Sequence, residues 1–351
     1  MADIKKRMEW LDAMRGFTMI LVVAYHVAQM GFGQSEKISA SLPFLVLFRM
    51  PLFFFVSGFL AYKASAVWTW DFFGSLVWKK VKIQVLPAFI FLCAYIILRG
   101  QHDFADGFMR CMASPTKGGY WFTWVLLLMF LVYYVFAAAA QKVRSNAPIG
   151  LLWVFAFALY ASINMPREFG KYWKAPFYMY SSVYELMKFF QFFLFGNLVH
   201  RYWDKVQKLF DTNWFCPFVI TVAFFSCADF FRWHTCTGEL TNIPKTFAMY
   251  SLMLLVVMFF RHYQEAFTKQ TFVGQRLQYI GVRTLDIYLL HFILLPKLPM
   301  VGEFLDANHP NFVLDIVAAV PVALIVIMFC CLVSNVLRIS PILREYLFGR
   351  K

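Results

Sequence analysis

The stretch LDAMRGFTMILVVAYH, Leu11 to His26, places Arg15 and His26 in one otherwise apolar segment of membrane length. A guanidinium is suited to holding an anion, and an imidazole to moving a proton near neutral pH. Either group facing hydrocarbon costs at least about 2.5–3.5 kcal/mol, so each needs a partner, a water-filled cavity or a task. Eleven helical steps rotate about 1100°, three turns plus roughly 20°, and rise about 16 Å. Arg15 and His26 therefore share a helix face, as a ligand threaded along that face requires. The structural alternative pairs Arg15 with Asp12 at i, i+3 and leaves His26 as an interior histidine bonded to another helix.

A second polar insertion lies in FRMPLFFFVSGFL, Phe48 to Leu60. Arg49 enters the apolar run beside Pro51, which frees a backbone carbonyl, and Ser57-Gly58 allows close helix approach. Further along, Glu185 precedes Lys188 by one helical turn, and His291 stands in YLLHFILL with Asp286 and Tyr288 just before it.

The elements carrying these residues are set by composition. Of 351 residues, 61% are hydrophobic and only 15% charged, more apolar surface than a soluble domain can bury. The expected fold is all-α, a polytopic transmembrane helix bundle of about ten spans, forming a single domain over 1–351 with no appended soluble domain. Apolar runs long enough for about 30 Å of hydrocarbon fall near 10–32, 41–62, 83–99, 120–141, 148–164, 183–203, 213–231, 245–263, 282–300 and 312–336. With the N-terminus inside, roughly 19 Lys and Arg fall on the inner side and about 9 on the outer, so both termini are expected in the cytoplasm. The same bias accounts for the net charge of +14 without nucleic acid. Seven cysteines form no CxxC pattern, and no metal site is expected.

Several stretches together resemble acyltransferase family 3 membrane proteins. Arg15 and His26 in LDAMRGFTMILVVAYH, followed by MPLFFFVSGFL, look like the family signature. WKKVKIQVLP (Trp78–Pro87) resembles its basic stretch before the third helix, and YWFTWVLLLMF (Tyr120–Phe130) its Trp-Phe span. FFLFGNLV (Phe192–Val199) and LQYIGVRTLDIYLLH (Leu277–His291) resemble later family segments. The MPLFFF form is most similar to members that O-acetylate sugars, including fucose 4-O-acetylase-like proteins.

The resemblance implies an acyltransferase of the plasma (inner) membrane, bacterial in origin, acting in polysaccharide modification at the cell envelope. Its donor is acetyl-CoA or another acyl-CoA from the cytoplasm, and its acceptor a hydroxyl of an extracytoplasmic or lipid-linked glycan. Arg15 with Lys79, Lys80 and Lys82 is expected to form a basic mouth for the CoA head group, with Ser57 in the cofactor-binding set. His26 is the candidate general base, and Arg49 steadies the developing oxyanion or a donor carboxylate. Glu185 orients His26 or the acceptor, or pairs with Lys188. His291 is a participant or a structural hydrogen-bond donor. A covalent acyl-histidine and a relay through Tyr25 stay open. Expected partners are the acyl-CoA, the glycan or glycolipid and membrane lipids, and a homo-oligomer stays open. The rival reading is a secondary transporter whose path is lined by Arg15, Arg49, Lys188, Asp286 and His291.

Overall fold

The computed structural model describes residues 8–36, 39–63, 66–98, 103–142, 147–168, 176–234, 242–308 and 311–349. All regular structure among them is helical. The chain opens with α1 (Glu9–His26), prolonged by a π-helical turn over Val27–Gly31, and α2 (Ser41–Ala61). Helices α3 (Trp70–Lys80) and α4 (Leu86–Leu98) join through a second π turn, Val81–Val85. Then come α5 (Phe104–Ala113), α6 (Trp121–Lys142), α7 (Ala147–Glu168), α8 (Pro176–Ser181) and α9 (Val183–Arg201). The remainder is α10 (Trp203–Phe210), α11 (Phe215–His234), α12 (Asn242–His262), α13 (Phe272–Val282), α14 (Thr284–Leu294), α15 (Pro299–Ala307), α16 (Phe312–Leu337) and α17 (Pro341–Phe348).

Six helical stretches among the described residues are long and apolar enough to cross a membrane, and two sharply bent helix pairs raise the number to eight. The apolar runs near 148–164 and 183–203 are helical as well, as α7 and α9. The terminal residues 1–7 and 350–351, on which the charge argument for orientation partly rests, lie outside the described residues.

Two expected boundaries differ. The third run is expected at 83–99, after a basic stretch, whereas one continuous helix covers Trp70–Leu98 and carries Lys79, Lys80 and Lys82 within it. Thr69 starts this helix by accepting the Phe72 amide on its hydroxyl, and no glycine or proline interrupts the basic stretch. The run at 282–300 breaks into α14 and α15, which meet at 90°. Pro296 and Pro299 are the reason: the residue before a proline is driven out of the helical region, and Leu295 is extended.

The fold comprises two compact units. The first holds Met1–Phe53, Gln207–Cys236 and Pro244–Leu332, and the second Phe54–Val206, Thr237–Ile243 and Val333–Lys351. In the first, α1 and α13 touch backbone to backbone. A Cβ on Gly16 would lie 2.0 Å from the Leu277 carbonyl oxygen, and one on Gly281 would lie 1.8 Å from that of Asp12. Only glycine permits this approach, which in lipid substitutes close van der Waals packing for the missing hydrophobic drive. Around it, Ser39 donates to Asp315 at 2.6 Å and the Ser41 amide to the same carboxylate oxygen at 3.1 Å, which ties the start of α2 to α16.

The second unit repeats the device between the end of α2 and α9. A Cβ on Gly58 would meet the Phe193 carbonyl oxygen at 1.8 Å, and one on Gly196 that of Phe55 at 2.0 Å. Phe54, Phe59, Phe192 and Phe193 pack fully buried around this crossing.

Candidate active site

The α1–α13 contact sets the height of α1 against α14, which follows α13 after a break at Arg283. As the helical spacing predicts, Arg15 and His26 both turn toward α14. Arg15 donates through one nitrogen to Asp12 at 3.2 Å and through the other to the Thr284 hydroxyl at 3.1 Å. His26 Nδ1 lies 3.1 Å from His291 Nε2. The i, i+3 pair with Asp12 and the shared face thus coexist.

The direction of the histidine pair follows from what surrounds it. His291 is fully buried, and its Nδ1 lies 3.1 Å from the Ile287 carbonyl oxygen and 2.8 Å from that of Tyr288. Carbonyl oxygens only accept, so Nδ1 carries the proton of the neutral ring and Nε2 keeps its lone pair. That lone pair accepts from His26 Nδ1–H. His26 is thereby held in the tautomer whose Nε2 has a lone pair, the form that can take a proton. Phe292, whose ring centroid is 4.8 Å from that of His26, packs on the imidazole.

Arg49 joins them from α2. It is 9% exposed, its guanidinium carbon sits 3.5 Å from the centre of the Tyr25 ring, and it interacts electrostatically with both His26 and His291. Its Nε is buried without a hydrogen-bond partner, an expensive state for an ionised group. Stacking on an aromatic face fixes a planar guanidinium while leaving its edge for an anion. The Tyr25 hydroxyl donates to Glu36 at 2.8 Å, and Glu36 also acts electrostatically on Arg49 and Lys245.

Glu36 and Lys245 were not singled out in the sequence. Each stands at the edge of an apolar run, where charged residues ordinarily mark a boundary, so neither carried a local signal. The Tyr25 hydroxyl donates to Glu36 while its ring carries Arg49, which acts electrostatically on both histidines.

The other expected residues lie in the second unit. Lys82 pairs with Glu345 at 2.6 Å, Lys80 sits over the Phe130 ring at 3.6 Å, and Lys79 is exposed on the same helix. The three lysines belong to one helical stretch, and two of them are engaged by neighbours of that unit. Ser57 lies beside the Gly58 crossing. Glu185 interacts with Lys188 and with Lys117, which donates to the carbonyls of Met112 (3.0 Å) and Met179 (2.9 Å). Burial holds the Lys117 ammonium below the usual lysine range, with Glu185 acting in the opposite sense. The partner of His26 Nδ1 is His291 rather than a carboxylate.

The site is a polytopic helical bundle in which one histidine orients another and a buried arginine acts electrostatically on both. The acyltransferase family 3 profile, an acyltransferase domain, matches residues 8–335, and the chain belongs to this family. No curated protein and no solved structure matches the chain. The protein is accordingly a multi-pass membrane acyltransferase, and the transporter reading gives way to an enzyme.

Proposed function

We propose that this acyltransferase moves an acyl group, acetyl by family resemblance, from cytoplasmic acyl-CoA to a hydroxyl of an extracytoplasmic or lipid-linked glycan in the bacterial inner membrane. The observation that carries the chemistry is the His26–His291 bond, because it leaves a lone pair on His26 Nε2 within the electrostatic reach of Arg49. His26 Nε2 takes the proton of the acceptor hydroxyl as its oxygen attacks the thioester carbonyl. A carbon–oxygen bond forms, and the carbonyl oxygen gains the negative charge that Arg49 steadies. Collapse breaks the carbon–sulfur bond, and the departing CoA thiolate recovers the proton from the His26 imidazolium. His291 holds the imidazole on course throughout. The Lys and Arg bias supports a cytoplasmic position for both termini.

The test compares wild type with His26→Ala in detergent, after size exclusion has shown both equally folded. General-base loss should lower acyl transfer to a panel of sugars by about 10²–10⁴-fold, with CoA binding retained. Equal turnover in the variant, or a wild type that binds no acyl-CoA, would sink the mechanism.

A further inference from the structure

The mechanism leaves unused a second polar cluster, in the second unit where α2 and α9 end. Asn197 is fully buried, and its Nδ2 donates to the Gly58 carbonyl at 3.3 Å while its Oδ1 has no hydrogen-bond partner. One turn on, His200 bonds the Phe59 carbonyl through Nδ1 and stacks on the Phe59 ring, with centroids 4.2 Å apart. The His200 edge packs against Tyr62 at 5.3 Å. Next to it, Arg201 lays its guanidinium over Tyr62 at 4.9 Å. Its Nε is buried without a hydrogen-bond partner, and no carboxylate among the described residues pairs with it. Tyr133, from α6, stands within reach of the Asn197 amide and of the Arg201 charge.

These groups have a common requirement. An arginine at the end of a membrane helix, stacked on an aromatic face with its Nε unsatisfied, needs an anion. A buried amide oxygen one helical turn away takes an N–H or O–H donor, which the neighbouring Tyr133 hydroxyl or a ligand supplies. The aromatic floor excludes water and strengthens both interactions. A phosphate ester that also carries an amide or hydroxyl donor meets both needs at once. A carboxylate or inorganic anion satisfies Arg201 and leaves the Asn197 oxygen to Tyr133 alone.

We propose that Arg201, Asn197, His200, Tyr62 and Tyr133 form a receptor for such a phosphate ester. Two sources share the chemistry: the CoA donor, with its phosphates and pantetheine amides, and a phospholipid headgroup bearing hydroxyls, as in phosphatidylglycerol. The CoA source rests on the function proposed above, whereas the receptor itself does not.

The experiment uses the full chain in nanodiscs as wild type, Arg201→Gln and Arg201→Lys, each first shown monodisperse. Binding of CoA and of 3′-dephospho-CoA is titrated, and melting is compared in phosphatidylcholine and phosphatidylglycerol discs. With CoA as the ligand, Arg201→Gln weakens binding of one or both nucleotides at least tenfold, and Arg201→Lys, which keeps the charge without the fork, weakens it less. With lipid as the ligand, nucleotide binding is unchanged and the stabilisation by phosphatidylglycerol seen in wild type disappears in Arg201→Gln. Unchanged nucleotide affinities together with an unchanged lipid response would overturn the receptor. A wild type that binds neither nucleotide would defeat the CoA donor, and the lipid comparison would then decide the receptor alone.

Discussion

The two units use the same construction and end it differently. In each, a glycine pair brings two helices into backbone contact, and a histidine further along the chain donates its Nδ1–H to a backbone carbonyl. In the first unit, His291 uses its remaining nitrogen to orient a second histidine, and the polar chain ends in a lone pair within the electrostatic reach of the buried Arg49. In the second, His200 lies flat on Phe59, and the polar groups end at Arg201 and Asn197. The crossing is therefore scaffold in both cases. On the functions proposed above, chemistry and binding differ in the residue placed beyond it: a second imidazole would set up a base, and a stacked arginine beside a buried amide would hold an anion.

This contrast is sharpest at Arg49. Replacing it by Gln should lower transfer by about 10²–10³-fold, the scale of losing one donor to a developing oxyanion, with KM for the donor changed far less than kcat. A KM effect alone would move Arg49 into substrate binding and erase its difference from Arg201. The next effect is at His291. His291→Ala removes the acceptor for His26 Nδ1–H and should cost roughly 10²-fold, whereas His291→Gln can still accept there and should recover about tenfold of that, as expected for a group acting through hydrogen bonding to the base. Equal losses in the two variants would mean that the second ring serves only as packing.

The glycine pairs should behave alike. Gly16→Ala and Gly58→Ala each press a methyl group into a backbone oxygen and should destabilise by about 1–3 kcal/mol, read as lower melting temperatures in detergent. A loss confined to one unit would show that the crossings are not equivalent. The smallest effect is expected at Lys82→Gln. Its pair with Glu345 leaves both side chains about a third exposed, and such pairs contribute about 0–1 kcal/mol. A stability loss larger than that, or a strong fall in donor affinity, would give this lysine a role beyond its ion pair.

Much of this was legible in the chain. Hydropathy located the helices because a spanning segment must bury its backbone polar groups within itself. The helical repeat put Arg15 and His26 on one face, since 3.6 residues per turn is a property of the local backbone. The glycine in each of the motifs around Gly16, Gly58, Gly196 and Gly281 could be read as permission for close approach, but not which helix would approach. Pairing His26 with His291, stacking Arg49 on Tyr25, and bringing Glu36 to Tyr25 and within reach of Lys245 were decided by tertiary structure alone. These contacts join residues up to 265 positions apart, and no local periodicity encodes them. They depend on which helices pack together and at what height, which in the first unit is set where Gly16 and Gly281 bring α1 and α13 into backbone contact.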